Sequence, residues 1–333
     1  MNKNTIVYIL ITCMIFVNFF IYSNIITNKI PDKSVTPSNP QNISGEQETE
    51  IGDNENSLPL DSKYIHANVS DTHSGELILV NQYFPYTFDN VPSVVTKESN
   101  ISIYSAKSSS YFVKDINVSM DKTAIEAFNI MMDDYYAQNG NKKNVIITQG
   151  LRTFEEQQEM LELKISQYGP DQKIAQVPGY SEHHTGYAFD ISTYVNGIMG
   201  TFTGENEYKW VHDNAHKYGF VLRYPAGKED ITGISYESWH FRYVGKPHAQ
   251  YMYKNSLTLE EYISVLANCK FGENELVITD ETTGDVYSVY SVPVANDGAQ
   301  VPVPTSVNGK EYTLSGDNCG NVIVTVKETV NAV

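Results

Sequence analysis

The chain has 333 residues, with 23 Lys and Arg against 40 Asp and Glu, a formal charge of −17. That length allows one large domain or two smaller ones, and 41% hydrophobic residues suffice for a packed core, which excludes wholesale disorder. The acidity argues against nucleic acid as a partner, because phosphate binding needs clustered positive charge.

The first element is apolar. From Thr5 to Asn28 no charge occurs, and Ile, Val, Phe, Leu and Tyr dominate. A bilayer core needs about 20 such residues, whereas the apolar part of a cleaved signal peptide is usually ~7–15 long and ends at a small-residue site. No such site follows, so residues 1–29 are expected to be an uncleaved membrane anchor. Lys3 before the run and Lys29 and Lys33 after it leave the orientation open. Residues 30–61 are rich in Asn, Ser, Pro and acids and read as a disordered spacer, too polar to offset the entropy of ordering.

Residues 77–80, Leu-Ile-Leu-Val, read as a buried strand. Over 120–138, Ala124, Ala127, Phe128, Met131, Met132 and Tyr135 recur at helical spacing, with Asp121 as cap and Asn139-Gly140 as stop. A β-branched strand over 145–148 ends at Gly150, and a helix over 155–165 follows. A strand over 187–191 is entered from Gly186. A helix over 207–217 closes at Gly219, ahead of strands over 220–222 and 240–244. The last helix covers 257–266, capped by Thr258, with Glu260 and Glu261 in its first turn. Beyond it, residues 267–333 read as a small all-β module broken by Gly and Pro. Cys269 and Cys319 fall there; an oxidising exterior would permit one bridge between them, and two free thiols are equally compatible.

Two stretches carry chemistry: Ser181-Glu182-His183-His184-Thr185-Gly186-Tyr187-Ala188-Phe189-Asp190 and Glu237-Ser238-Trp239-His240. A catalytic zinc site takes three N or O ligands and keeps one position open. His183, Asp190 and His240 satisfy that count, and Glu237 is left as the base that takes a proton from water. A rival pair, His212 and His216, lies one turn apart on the expected 207–217 helix, as in H-E-x-x-H sites, but Asp213 stands where the longer Glu base would. Arg152 follows the strand end at Gly150. It can hold a carboxylate through paired hydrogen bonds or form a structural salt bridge.

These motifs resemble the VanY-type D-alanyl-D-alanine carboxypeptidases, zinc peptidases of the bacterial cell wall. The pattern S-x-H-x-x-G-x-A-x-D is met by Ser181, His183, Gly186, Ala188 and Asp190. E-x-W-H is met by Glu237, Trp239 and His240. The stretch from Gly150 to Gln157 and the run Tyr218-Gly219-Phe220-Val221-Leu222-Arg223-Tyr224-Pro225 also look like the family. The resemblance runs from about His73 to Leu266. It implies Zn2+ held by His183, Asp190 and His240, Glu237 as base, and Arg152 beside substrate and developing oxyanion. Gln157 and Ser181 would hold the substrate's terminal residue, with His184 at the rim or as a fourth ligand. The implied fold is α+β: a small antiparallel sheet carrying the zinc site, surrounded by helices, in a catalytic domain over 62–266. The implied substrate is a peptidoglycan stem peptide ending in D-Ala-D-Ala. Such a substrate lies outside the cytoplasmic membrane, so the expected arrangement is single-pass with the catalytic domain extracellular. An L,D-carboxypeptidase, a D,D-dipeptidase, or a wall-binding protein with structural zinc are the alternatives. The 267–333 module matches nothing in the family.

Overall fold

The computed structural model describes residues 62–305 and 310–328. The expected anchor over 1–29 and spacer over 30–61 lie outside them. Among the described residues no helix is long and apolar enough to cross a membrane.

Strand β1 (Ser62–Ala67) opens the described chain. β2 (Asn100–Ser102), β3 (Phe112–Val113) and β4 (Ser119–Asp121) follow, with β2 antiparallel to β4. β5 (Val145–Gln149), β6 (Ala188–Val195), β7 (Ile198–Thr201), β8 (Phe220–Leu222) and β9 (His240–Tyr243) join β3 in a six-stranded sheet. Its order is β3-β5-β6-β9-β8, with β7 paired to β6. Every pair is antiparallel except β3 with β5, so the sheet expected to be purely antiparallel has one parallel edge. The strand expected to end near 191 runs on to Val195 to pair with β7.

Side chains alternate between the two faces of a strand. Phe189 and Phe241, opposite each other in register, stack at 5.8 Å and meet the helix Lys122–Gln138 through Phe128, 4.8 Å from Phe189. That helix buries Ala124, Ile125, Phe128, Met131, Met132 and Tyr135, and Asp121 caps it by accepting from the backbone N–H groups of Thr123 and Ala124. The opposite face of the sheet carries Asp190, His240 and Arg242.

The helix Phe154–Tyr168 starts in a capping box of Thr153 and Glu156. The helix expected over 207–217 breaks into Lys209–Asn214 between two 3-10 turns, and Gly219 in the left-handed region redirects the chain into β8. Residues 77–80 are buried but form no strand. Their backbone is held singly instead: Leu77 N–H donates to Ser315 Oγ, Leu79 N–H to the Asp317 carbonyl, and Asn318 Nδ2 to the Leu79 carbonyl.

After the helices Lys246–Asn255 and Leu259–Leu266, the regular elements among the described residues are all strands. β10 (Leu276–Thr279), β11 (Val286–Pro293), β13 (Glu311–Gly316) and β14 (Asn321–Glu328) form an antiparallel sheet of order β10-β11-β14-β13. β12 (Ala299–Pro304) pairs with β1 instead. Packing therefore runs across the 266/267 boundary. One core joins Leu77, Val244, Leu259 and Ile263 to Ile278, Val289 and Ile323. Cys269 and Cys319 are both free thiols.

Candidate metal centre and catalytic site

Strand register brings the first two expected ligands together. Asp190 on β6 lies directly opposite His240 on β9, and on the other side Asp190 pairs with Gln149 across a bulge in β5. His183 arrives from the 3-10 turn Glu182–Thr185, which ends at Gly186 (φ 76°). A Cβ at Gly186 would collide with the Asn100 side chain, so the turn needs glycine on both counts. The donor atoms of His183, Asp190 and His240 lie within 4.8 Å of one another.

The imidazoles are oriented from behind. His183 Nδ1 lies 2.7 Å from the Gly150 carbonyl, so it carries the proton and leaves Nε2 as the lone pair facing Asp190 Oδ2 at 3.5 Å. A side chain at Gly150 would strike the Ser119 carbonyl, which keeps that carbonyl-to-imidazole contact in place. His240 presents Nδ1, 3.0 Å from Asp190 Oδ1 and 3.7 Å from Glu237 Oε2. His184 is no fourth ligand: its Nδ1 donates to the Arg152 carbonyl and its Nε2 accepts from Gly179 N–H. The rival pair does not converge either. His212 faces the Ser238 carbonyl, and His216 stacks on Tyr253.

Around the donors lies a pocket of about 190 Å³, lined among others by Arg152, Gln157, Ser181, Tyr224, Glu237 and Trp239. All four of the remaining expected site residues therefore line the same pocket as the donor set. Arg152 reaches Asp190 Oδ2 at 3.9 Å and donates from Nη1 to Gln157 Oε1 at 2.7 Å, while its buried Nε has no partner. Gln157, fully buried, also donates to the Gln176 carbonyl. It thus ties Arg152 to the loop that walls the pocket.

Burial pushes the Glu237 carboxyl up to about 8, against the pull of His240. Burial and the Arg152 cation bring His183 down to about 4, despite Asp190. His240 goes the other way: burial opposes its charge, but Asp190 and Glu182 raise it to about 9. A divalent cation among these donors would favour neutral His240 and ionised Glu237, since ligands must shed their protons. Two imidazoles and one carboxylate, with the far nitrogen of His183 already engaged, fit a catalytic zinc donor set.

Sequence reasoning missed the layer beneath. Glu182 accepts from Arg223 Nε at 2.7 Å and Arg242 Nη1 at 2.9 Å, and Arg223 forks onto Glu260 at 2.9 and 2.7 Å. Burial opposes ionisation of Glu182, but the two arginines outweigh it and hold the carboxyl well below the usual carboxylate range. Only the position of Glu182 inside the first motif signalled it.

With this geometry in hand, the comparisons with known proteins are specific. The family model of the VanY D-alanyl-D-alanine carboxypeptidases matches residues 117–246. A D-alanyl-D-alanine carboxypeptidase of Enterococcus faecium is 34% identical over 254 residues, covering 76% of this chain and 76% of its own length. The bifunctional D-Ala-D-Ala dipeptidase and carboxypeptidase VanXYC of Enterococcus gallinarum is 38% identical, over 38% of this chain and 70% of its own. Among solved structures, the vancomycin-resistance D,D-dipeptidase VanXYg, in complex with a D-Ala-D-Ala phosphinate analogue, aligns with a TM-score of 0.69 at 27% identity. That alignment covers 80% of this chain and 99% of that one. The motifs, the register that assembles them and the breadth of these matches lead to one conclusion: the chain belongs to the VanY family of D-alanyl-D-alanine carboxypeptidases.

Proposed function

We propose that the chain is a membrane-tethered zinc D,D-carboxypeptidase that releases the terminal D-alanine from peptidoglycan stem peptides. The observation that carries this reading is the convergence of His183, Asp190, His240, Glu237 and Arg152 on one pocket. His183, Asp190 and His240 would hold the zinc. When bound, zinc supplies Lewis acidity, which polarises a carbonyl and makes water a competent nucleophile near neutral pH.

The other steps belong to the chain's own residues. Glu237 takes a proton from the attacking water onto its carboxylate. As the scissile C–N bond breaks and the new C–O bond stands, Glu237 returns that proton to the leaving amine. Arg152, a cation fixed in the same pocket, would stabilise negative charge developing on the carbonyl oxygen. Gln157 keeps Arg152 in place through the 2.7 Å bond at Nη1, and Ser181, which lines the same pocket, would hold the substrate's terminal carboxylate. Residues 1–29 would anchor the chain with this site outside the cytoplasmic membrane, where the substrate is.

A second reading, D,D-dipeptidase, is favoured by the 80% coverage in the alignment with VanXYg. The full chain, zinc-loaded in detergent, is offered three substrates: a pentapeptide stem ending D-Ala-D-Ala, the matching tetrapeptide, and free D-Ala-D-Ala. D-alanine from the pentapeptide alone supports the D,D-carboxypeptidase. Release from the tetrapeptide alone moves the assignment to an L,D-carboxypeptidase, and cleavage of the free dipeptide supports the second reading. Silence on all three, with zinc bound, would leave a wall-binding protein. In the same assay Glu237→Gln keeps its zinc and loses roughly 10²–10⁴ in turnover; a wild-type rate would remove Glu237 as the base.

A further inference from the structure

Two buried polar atoms beneath the metal centre lack a hydrogen-bond partner, and they face each other. Glu182 Oε2 and His240 Nε2 are 3.5 Å apart, just beyond bonding distance. Glu182 precedes a metal-donor residue in sequence, yet its side chain runs away from the pocket and is wholly buried. Both of its arginine bonds fall on one oxygen: Arg223 Nε at 2.7 Å and Arg242 Nη1 at 2.9 Å, each to Oε1. An acid serving only to neutralise arginines would spread both oxygens over a guanidinium fork, as Glu260 does with Arg223. Glu182 instead keeps Oε2 aimed at the imidazole.

The arginines around it are engaged elsewhere as well. Arg242 stands two residues after His240 on the same face of β9, and its Nη2 donates to the carbonyls of Glu76 and Ile78 at 2.9 Å. Arg223 N–H donates to the His240 carbonyl. Two arginines and two glutamates balance in charge, all with almost no side-chain exposure.

We propose that Glu182 is the positioning residue of His240: it accepts the Nε2 proton and thereby presents Nδ1, the nitrogen facing Asp190 and Glu237, as the metal donor. A carboxylate behind a metal-binding imidazole fixes its tautomer and ring angle and raises its basicity. The inference rests on the metal-centre reading above and deepens it.

The test measures metal binding, without substrate. Metal-free full-length protein is titrated with zinc against a chromophoric chelator, in three forms: unaltered, Glu182→Gln and Glu260→Gln. Glu182→Gln should weaken zinc binding roughly 10–100-fold, while Glu260→Gln, which removes a charge from the same network without touching His240, should stay within about threefold. Nitrogen-15 spectra of the zinc-loaded, unaltered protein should show His240 protonated at Nε2. Equal losses in both variants would reduce Glu182 to a structural part and overturn the proposal. So would unchanged affinity in Glu182→Gln, or a His240 protonated at Nδ1. If Glu182→Gln fails to fold, the nitrogen-15 spectrum decides alone. Unaltered protein that binds no zinc overturns the metal centre itself, a different result from a metal centre indifferent to Glu182.

Discussion

The two larger sheets among the described residues bury opposite kinds of side chain. The six-stranded sheet puts Phe189, Ile191 and Phe241 on one face and, on the other, covers His240 and Arg242, with Glu182 and Arg223 packed beside them. The C-terminal sheet buries mostly aliphatic groups: Val322, Val324 and Val326 of β14 meet Tyr290, Val301 and Val303, while the intervening Ile323 turns to the opposite side. Its buried acids, Asp280 and Asp317, accept backbone N–H groups in turns and meet no arginine fork. Burying a charge costs several kcal/mol unless geometry and hydrogen bonding return it. The difference teaches where that cost is accepted. Charge is buried beneath the candidate metal centre, and apolar area is buried where two surfaces need only adhere.

The comparison breaks most visibly if the C-terminal region can be removed. A fragment ending at residue 274 loses Ile278, Val289 and Ile323 from the shared core, β12 from β1, and the Asp317 and Asn318 contacts that hold Leu79. Leu79 lies one residue beyond Ile78, whose carbonyl binds Arg242. The fragment should show no cooperative thermal transition by circular dichroism. A sharp transition with zinc still bound would make the C-terminal sheet an independent module. A smaller cut sharpens the same point. Ile323→Ala, at the junction core, should cost about 2–5 kcal/mol of unfolding free energy and leave kcat/KM unchanged at 25 °C. A loss in kcat/KM without a loss of stability would mean the junction reaches the pocket.

How much of this was legible in the sequence depends on distance along the chain. Asp121 and Thr258 were readable as caps because a cap bonds two or three residues away. The candidate donors could be named because residue type and spacing within 181–190 and 237–240 restrict the chemistry. Residues 77–80 were misread because an apolar run signals burial, and their actual partners, Ser315, Asp317 and Asn318, lie more than two hundred residues away. The 207–217 helix was misread as continuous because nothing in Asn214-Ala215 announces a change to 3-10 geometry; the turn tightens so that Gly219 can feed β8. The Glu182 network has no local signature beyond the place of Glu182 in the first motif, since its bonds span 41, 60 and 37 residues. Sequence reasoning named residues that the fold brings to one pocket and missed the network packed beneath them.

His248 offers the gentlest test of how the two regions meet. It sits on the helix Lys246–Asn255, fully buried, with Nδ1 2.7 Å from the Tyr262 hydroxyl and Nε2 3.1 Å from Thr325 Oγ1 on β14. Burial drives it down to about 3 from an ordinary 6.5. The folded state therefore holds it neutral, while the unfolded chain takes up a proton once pH falls below 6.5. The unfolded state binds more protons in that window, so stability must rise with pH there. The contribution is complete above the unfolded value and declines as pH falls from it towards the folded value. At about 1.4 kcal/mol per unit, the loss reaches about 2 kcal/mol by pH 5. Other shifted groups, His183, His240 and Glu237 among them, titrate across the same window, so the reading is a difference: in urea unfolding of the full chain, His248→Gln should lessen the loss of stability between pH 7 and 5 by about 2 kcal/mol. Keeping the window above pH 5 limits the contribution of ordinary carboxylates, which titrate mostly below it. An unchanged slope in the variant would mean that His248 is hydrated in the folded protein and that the junction between the two regions is wetter than its packing implies.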